Sequence, residues 1–199
     1  MPSQGIVSKQ PLPKLSFHAL TPERWPDLER LFGKNGACGG CWCMWLRLPR
    51  SEFVQAEGEA NRRAFKAIVE AGEEPGILAY AGKDPVGWVA VAPREKHPIW
   101  DRSRNFKRVD DASVWSVSCF FVARSYRRQG ITRQLIEAAV RFVRSNGGRI
   151  LEGYPTDSEK VSPDPFVWTG LLSAFEQAGF QECVRRSPAR LMVRLTLRK

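Results

Sequence analysis

Cys119 to Leu135 reads CFFVARSYRRQGITRQL, an apolar stretch that passes through Arg127-Arg128-Gln129-Gly130 into a helical pattern. Ser113 to Val122 (SVWSVSCFFV) is rich in Val, Phe and Trp, as a central strand covered on both faces would be. Gly130 to Ser145 carries Ile131, Leu135, Ala139 and Phe142 at helical spacing and closes on Asn146-Gly147-Gly148. A helix N-terminus leaves about four backbone N–H groups unpaired and carries partial positive charge. With Gly130 allowing close approach and Arg124, Arg127 and Arg128 alongside, the turn is a candidate phosphate cradle. Arginines at a strand-to-helix turn also occur as plain solvated surface, and the residues alone leave both readings open.

Working outward, the expected order is β-α-α-β-β-β-α-β-α-β-β, one α/β domain on a mixed sheet. Leu15–Leu20 reads as the first strand. Thr21-Pro22-Glu23 starts a helix whose apolar face is Trp25, Leu28, Leu31 and Phe32. A second helix is expected over Ala56–Ala71. Gly76–Ala81 and Pro85–Ala92 form a hairpin around Gly82-Lys83-Asp84. Pro93–Ala112 has no period and is long for a connection, as functional or mobile loops are. Arg149–Tyr154 is a strand, Pro155–Pro165 a polar loop and Phe166–Ala178 a helix closed by Gly179. A last hairpin pairs Phe180–Arg186 with Arg190–Leu197, whose Leu191, Val193, Leu195 and Leu197 alternate with Met192, Arg194 and Thr196. Residues 1–14 are polar, with Pro11 and Pro13, and read as a flexible lead-in to a domain over 15–199.

At 199 residues, 43% hydrophobic and 26% charged, the chain can bury a core without a disulfide or metal staple. No apolar run approaches the roughly 18 residues of a spanning helix. Five cysteines, three of them clustered, fit a reducing cytoplasm better than a secreted framework. The net charge is +10 and unevenly spread. Arg94–Val109 has six basic residues against two acidic, Arg124–Arg149 seven against one, and Gln181–Lys199 six against one. Such a distribution suits a solvated surface, an anionic ligand or nucleic acid. The aromatic and basic signature of an RNA-binding sheet is absent, which disfavours the last.

Phe120 to Thr132 resembles motif A of the GNAT superfamily of acyl-CoA-dependent N-acetyltransferases, with fingerprint Gln/Arg-x-x-Gly-x-Gly/Ala. Arg127 stands at its first position, Gly130 at its fourth, and Thr132 where Gly or Ala is usual. Ala79–Ala90 (AYAGKDPVGWVA) resembles the family's β2–β3 hairpin, and Ala174–Phe180 (AFEQAGF) the end of its fourth helix. The resemblance implies a mixed, twisted sheet whose two central parallel strands splay apart around a pantetheine arm. It implies acetyl-CoA as co-substrate and an amine-bearing acceptor, with direct attack in a ternary complex; a homodimer is left open. A module that binds acyl-CoA without turnover is the alternative. By position, the Phe120 and Val122 backbones would bind pantetheine. The amides of Arg127, Arg128, Gln129, Gly130, Ile131 and Thr132 would hold the pyrophosphate.

Phe175 falls where many members carry a Tyr general acid; it is counted with the cofactor-contacting positions and cannot donate a proton. Tyr154 is a candidate donor. Glu152, two residues earlier on the same strand face, is the preferred base, because a carboxylate in an apolar strand either finds a partner or shifts its pKa upward. A structural ion pair with an arginine is the competing reading, and Asp110 and Asp111 are second choices. Cys38, Cys41 and Cys43 (CGGCWCMW) offer three thiols where structural zinc needs four ligands, so no metal is expected. The resemblance puts the α1–α2 region beside the acceptor site, which makes Trp42, Met44 and Trp45 candidates to line it. Trp42, Trp45, Trp100 or Trp168 could hold an aromatic or cationic acceptor, unless they serve only as core and rim packing.

Overall fold

The computed structural model describes residues 14–157 and 167–198. The lead-in, but for Lys14, and most of the expected polar loop lie outside the described residues. Seven strands form one sheet: β1 (Leu15–Ala19), β2 (Gly76–Ala81), β3 (Asp84–Pro93), β4 (Trp115–Val122), β5 (Ile150–Gly153), β6 (Gln181–Ser187) and β7 (Arg190–Thr196). Their spatial order is β1-β2-β3-β4-β5-β7-β6. Every neighbouring pair is antiparallel except β4 and β5.

Those two parallel strands pair over only three positions, Trp115 with Leu151, Ser116 with Glu152 and Val117 with Gly153. On the other side of β4 the register to β3 slips, so that Val117 and Cys119 face consecutive residues of β3 and Ser118 is extra. An extra residue bends a strand and re-aims its side chains. The bulge sits where β4 leaves β5, and the sheet opens there.

The helices are α1 (Trp25–Phe32), α2 (Arg50–Gln55), α3 (Glu59–Glu70), α4 (Ile99–Arg102), α5 (Ile131–Ser145) and α6 (Leu172–Glu176). On one face of the sheet, α5 buries Ile131, Leu135, Ile136 and Ala139 against Ile77, Val89, Val91 and Phe120. On the other face α1 and α3 pack Leu28, Phe32 and Phe65 on Leu78, Tyr80 and Trp88. A third cluster, Leu46, Trp100, Phe106, Tyr154 and Met192, lies against β5 and β7.

Three expectations need correction. The helix expected over Ala56–Ala71 starts only at Glu59, as α3, because Gly58 at φ 84° precedes it, and α2 (Arg50–Gln55) is a further helix before that glycine. The helix expected over Phe166–Ala178 is only α6 within the described residues. Gly170 has φ 89°, and Leu171 is extended in a bridge to Thr156, so no helix passes through them. Finally β7 is not half-exposed, since Met192 is fully buried in the third cluster behind Leu191 and Val193.

Candidate active site

A cavity of about 800 Å³ occupies the opening beside β4. One wall is the strand itself, Ser118 to Val122; another is the turn from Tyr126 to Thr132; a third is the loop Ala37–Leu46. Val167, Trp168, Gly170 and Leu171 close the side towards β5.

The turn is built for an anion. Arg128 (φ 59°) and Gly130 (φ 76°) are both left-handed, the alternation that points successive N–H groups into one concavity. Gly130 is the N-cap of α5 and no side chain caps the helix, leaving its first amides free at the positive end of a 15-residue dipole. Arg124, Arg127 and Arg128 surround it, none within 4.0 Å of a carboxylate among the described residues. Arg127, Arg128, Gly130, Ile131 and Thr132 line the cavity. The side chain of Gln129 turns away and donates to the Ser125 carbonyl at 2.9 Å.

Phe120 and Val122 line the cavity, but part of their backbone already has partners. The Phe120 amide donates to the Trp168 carbonyl at 2.7 Å, and the Val122 carbonyl accepts from Arg127 Nε at 3.0 Å. A strand-like ligand would use what remains or displace Trp168. Phe175 is no cavity wall. It is fully buried between Phe120 and Phe180 with its ring over Gly153, whose missing Cβ would come within 2.4 Å of it. Ala174, one residue earlier, faces the cavity instead.

Glu152 and Tyr154 are brought together, yet neither lines the cavity. Both are fully buried. One Glu152 oxygen takes Arg94 at 2.6 Å and the Tyr154 hydroxyl at 2.6 Å; the other takes Arg194 at 2.7 Å. Arg94, itself 1% exposed, also bonds Asp101 and the Phe106 carbonyl. Burial, reinforced by the Glu152 charge, holds the Tyr154 phenol well above its ordinary value. Asp110 is paired with Arg194 at 2.6 Å, a bond that lowers its pKa, and its neighbour Asp111 is exposed.

The cysteine loop forms the cavity's other end, with Cys38, Cys41, Cys43 and Cys119 in its lining, all as free thiols. Burial and the neighbouring Cys43 push the Cys41 thiol up to about 12. A hydrogen bond from Cys119, then one from Trp88 Nε1 at 3.2 Å, hold Cys43 below its ordinary value against its burial. Among the described residues no group of three or more His, Cys, Asp or Glu is arranged to hold a metal ion. Trp42 is buried on Trp25 and Phe32 as core, whereas Trp45 and Trp168 line the cavity.

Two features had escaped sequence reading. Ser118 enters the wall only because of the bulge, and no local pattern announces a bulge. Arg94 had a faint signal, a lone arginine directly after an apolar strand.

Residues 42–158 match the family model described as Acetyltransferase (GNAT) family, more than half of the chain. The chain belongs to the GNAT acetyltransferase family. Comparison of the sequence with curated proteins gives no match. Among solved structures, a Drosophila melanogaster polyamine N-acetyltransferase described as forming N-acetylagmatine is 12% identical, with TM-score 0.55 over 92% of this chain and 100% of that one. The PaiA N-acetyltransferase of Thermoplasma acidophilum, solved with coenzyme A, is 11% identical, with TM-score 0.53 over 92% and 99%. A GNAT acetyltransferase of Listeria monocytogenes is 11% identical, with TM-score 0.53 over 92% and 95%. At such identities the likeness shows the shared GNAT fold alone. No helix among the described residues is long and apolar enough to cross a membrane.

Proposed function

We propose that the protein moves an acetyl group from acetyl-CoA to a primary amine by direct attack in a ternary complex. The observation that carries this reading is the left-handed turn Arg128–Gly130 at the uncapped start of α5, opening onto a cavity of about 800 Å³ beside β4 where it parts from β5. The pyrophosphate would sit on the amides of Arg127 to Thr132 with the three arginines around it, and the pantetheine would run along Phe120 and Val122.

In the reaction the amine nitrogen attacks the thioester carbon, the C–S bond breaks, and CoA leaves as thiolate. The amine's surplus proton ends on the thiolate or on solvent. An alkylammonium near pKa 10.4 is only about one part in 10³ neutral at pH 7. No carboxylate or histidine among the described residues lines the cavity. Its apolar walls would disfavour the ammonium and supply free amine by desolvation. A thiolate near pKa 8.5 leaves with less help. Glu152, Tyr154 and Arg94 would then act as the frame of β5, with Glu152 as base the competing assignment. The same lack of a proton acceptor favours a second reading, a domain that binds acyl-CoA without turnover.

Gly130→Asp tests the cradle. A Cβ at Gly130 meets nothing within 4 Å but its φ of 76° strains any side chain, so Gly130→Asp is read against Gly130→Asn, which carries the same strain without the negative charge. Calorimetric titration should show acetyl-CoA affinity falling at least about tenfold in Gly130→Asp and little in the uncharged Gly130→Asn. Equal affinity in wild type and Gly130→Asp would place the nucleotide elsewhere. CoA release across a panel of amines separates transferase from sensor.

A further inference from the structure

A second cavity, of about 280 Å³, lies beyond Trp45, Leu46 and Trp168, residues that line both spaces. Its remaining walls include Ile99, Trp100, Phe106, Thr169 and Arg190. Two of these have buried polar atoms with no hydrogen-bond partner among the described residues, Trp100 Nε1 and Thr169 Oγ1. The residues themselves are 3% and 1% exposed. A buried donor left unpaired has lost its water without replacement, so such atoms ask for an occupant. The third group is Arg190, half-buried and tied to Thr156 Oγ1 at 3.0 Å. No carboxylate among the described residues lines this cavity. Asp101, beside Trp100, is engaged with Arg94 at 2.8 Å, and Asp157, beside Thr156, with Arg185 at 2.9 Å.

An indole N–H and a guanidinium can only donate; a hydroxyl can do either. The occupant must therefore accept hydrogen bonds from these three groups, and a guanidinium without a carboxylate partner among the described residues favours a negative charge; Ser103 and Asn105, the other polar residues of the lining, can meet it in either role. An ammonium would meet donors and a like charge. The surrounding indole, phenyl and aliphatic surfaces suit an apolar body. We propose that the second cavity is the acceptor's carboxylate subsite, and that the acceptor is a primary amine of amino-acid type, bearing a carboxylate on an apolar body. Its carboxylate meets Arg190, Trp100 Nε1 and Thr169 Oγ1, and its amine passes the Trp45–Trp168 wall to the thioester. The substrate class rests on the transferase reading; the carboxylate preference does not.

The test is calorimetric titration of the full chain, loaded with CoA, using amines matched with and without a carboxylate. Suitable pairs hold the two groups apart: 6-aminohexanoate with hexylamine, 5-aminopentanoate with pentylamine, and 4-(aminomethyl)benzoate with benzylamine. The carboxylate-bearing member should bind at least about tenfold tighter in one or more pairs, a discrimination typical of a site with buried donors to satisfy. Arg190→Met should abolish the difference; Trp100→Phe, which removes the N–H and keeps an aromatic ring, should reduce it and serves if the first variant fails to fold. Equal or weaker binding of the carboxylate member in every pair, or a preference that survives both substitutions, overturns the proposal. A carboxylate preference without CoA release from acetyl-CoA supports the subsite and sinks the transferase reading. CoA release without the preference does the reverse.

Discussion

Glu152 has no exposed surface, and two guanidiniums hold its two oxygens. Removing one member of a buried pair strands the other charge in a poor solvent, at a cost of about 3–5 kcal/mol. Glu152→Ala should therefore lower the unfolding free energy by about that amount in chemical denaturation. An unchanged denaturation midpoint with a collapsed kcat would instead make Glu152 the base. The sequence allowed both readings, because a carboxylate in an apolar strand says that a partner exists without saying which. The partner, Arg94, lies 58 residues away in the chain and meets Glu152 only after the sheet has formed. Gly130 is the opposite case. A glycine between a strand and a helix describes its own backbone, and the close approach it allows was legible at once.

Elements showed the same division. β2, β3 and β7 carry apolar, strand-like runs in the sequence and form where they should. The 93–114 connection carries none, yet it is anchored: Arg94 reaches inward to Glu152 and Tyr154, and Arg186 of β6 holds the carbonyls of Asn105, Lys107 and Arg108. His97, 2% exposed, is part of that anchor, with Nδ1 2.9 Å from Ser116 Oγ of β4. Burial, with Arg47 and Arg94 nearby, pushes its imidazole down to about 3. In the unfolded chain the value returns to about 6.5. Between these limits the unfolded chain binds a proton that the folded chain refuses, so this contribution is lost as pH falls from about 6.5. Stability should decline by up to about 1.4 kcal/mol per pH unit near pH 5. His97→Asn, which keeps a polar group near Ser116, should flatten the curve between pH 6.5 and 5; an unaltered slope would assign the acid loss to other groups.

Across the whole molecule, the positive charge divides into two populations that composition could not separate. In the C-terminal hairpin, Arg185 and Arg194 pair with carboxylates and Arg186 with backbone carbonyls, while Arg190 bonds only the Thr156 hydroxyl. Around the start of α5, Arg124, Arg127 and Arg128 have no carboxylate partner among the described residues, and there an anion can matter. The two cavities share the Trp168 wall, and the carbonyl of that residue is bound to the Phe120 amide of β4. An indole between two compartments is a built-in optical reporter, because its emission depends on the polarity and motion of whatever lies beside it. Titration with CoA should shift the protein's intrinsic fluorescence, and Trp168→Phe should remove most of that shift although six other tryptophans remain. If the shift survives the substitution, the signal comes from Trp45 or the core. If it disappears, filling either compartment can be followed by light, without a label and without turnover.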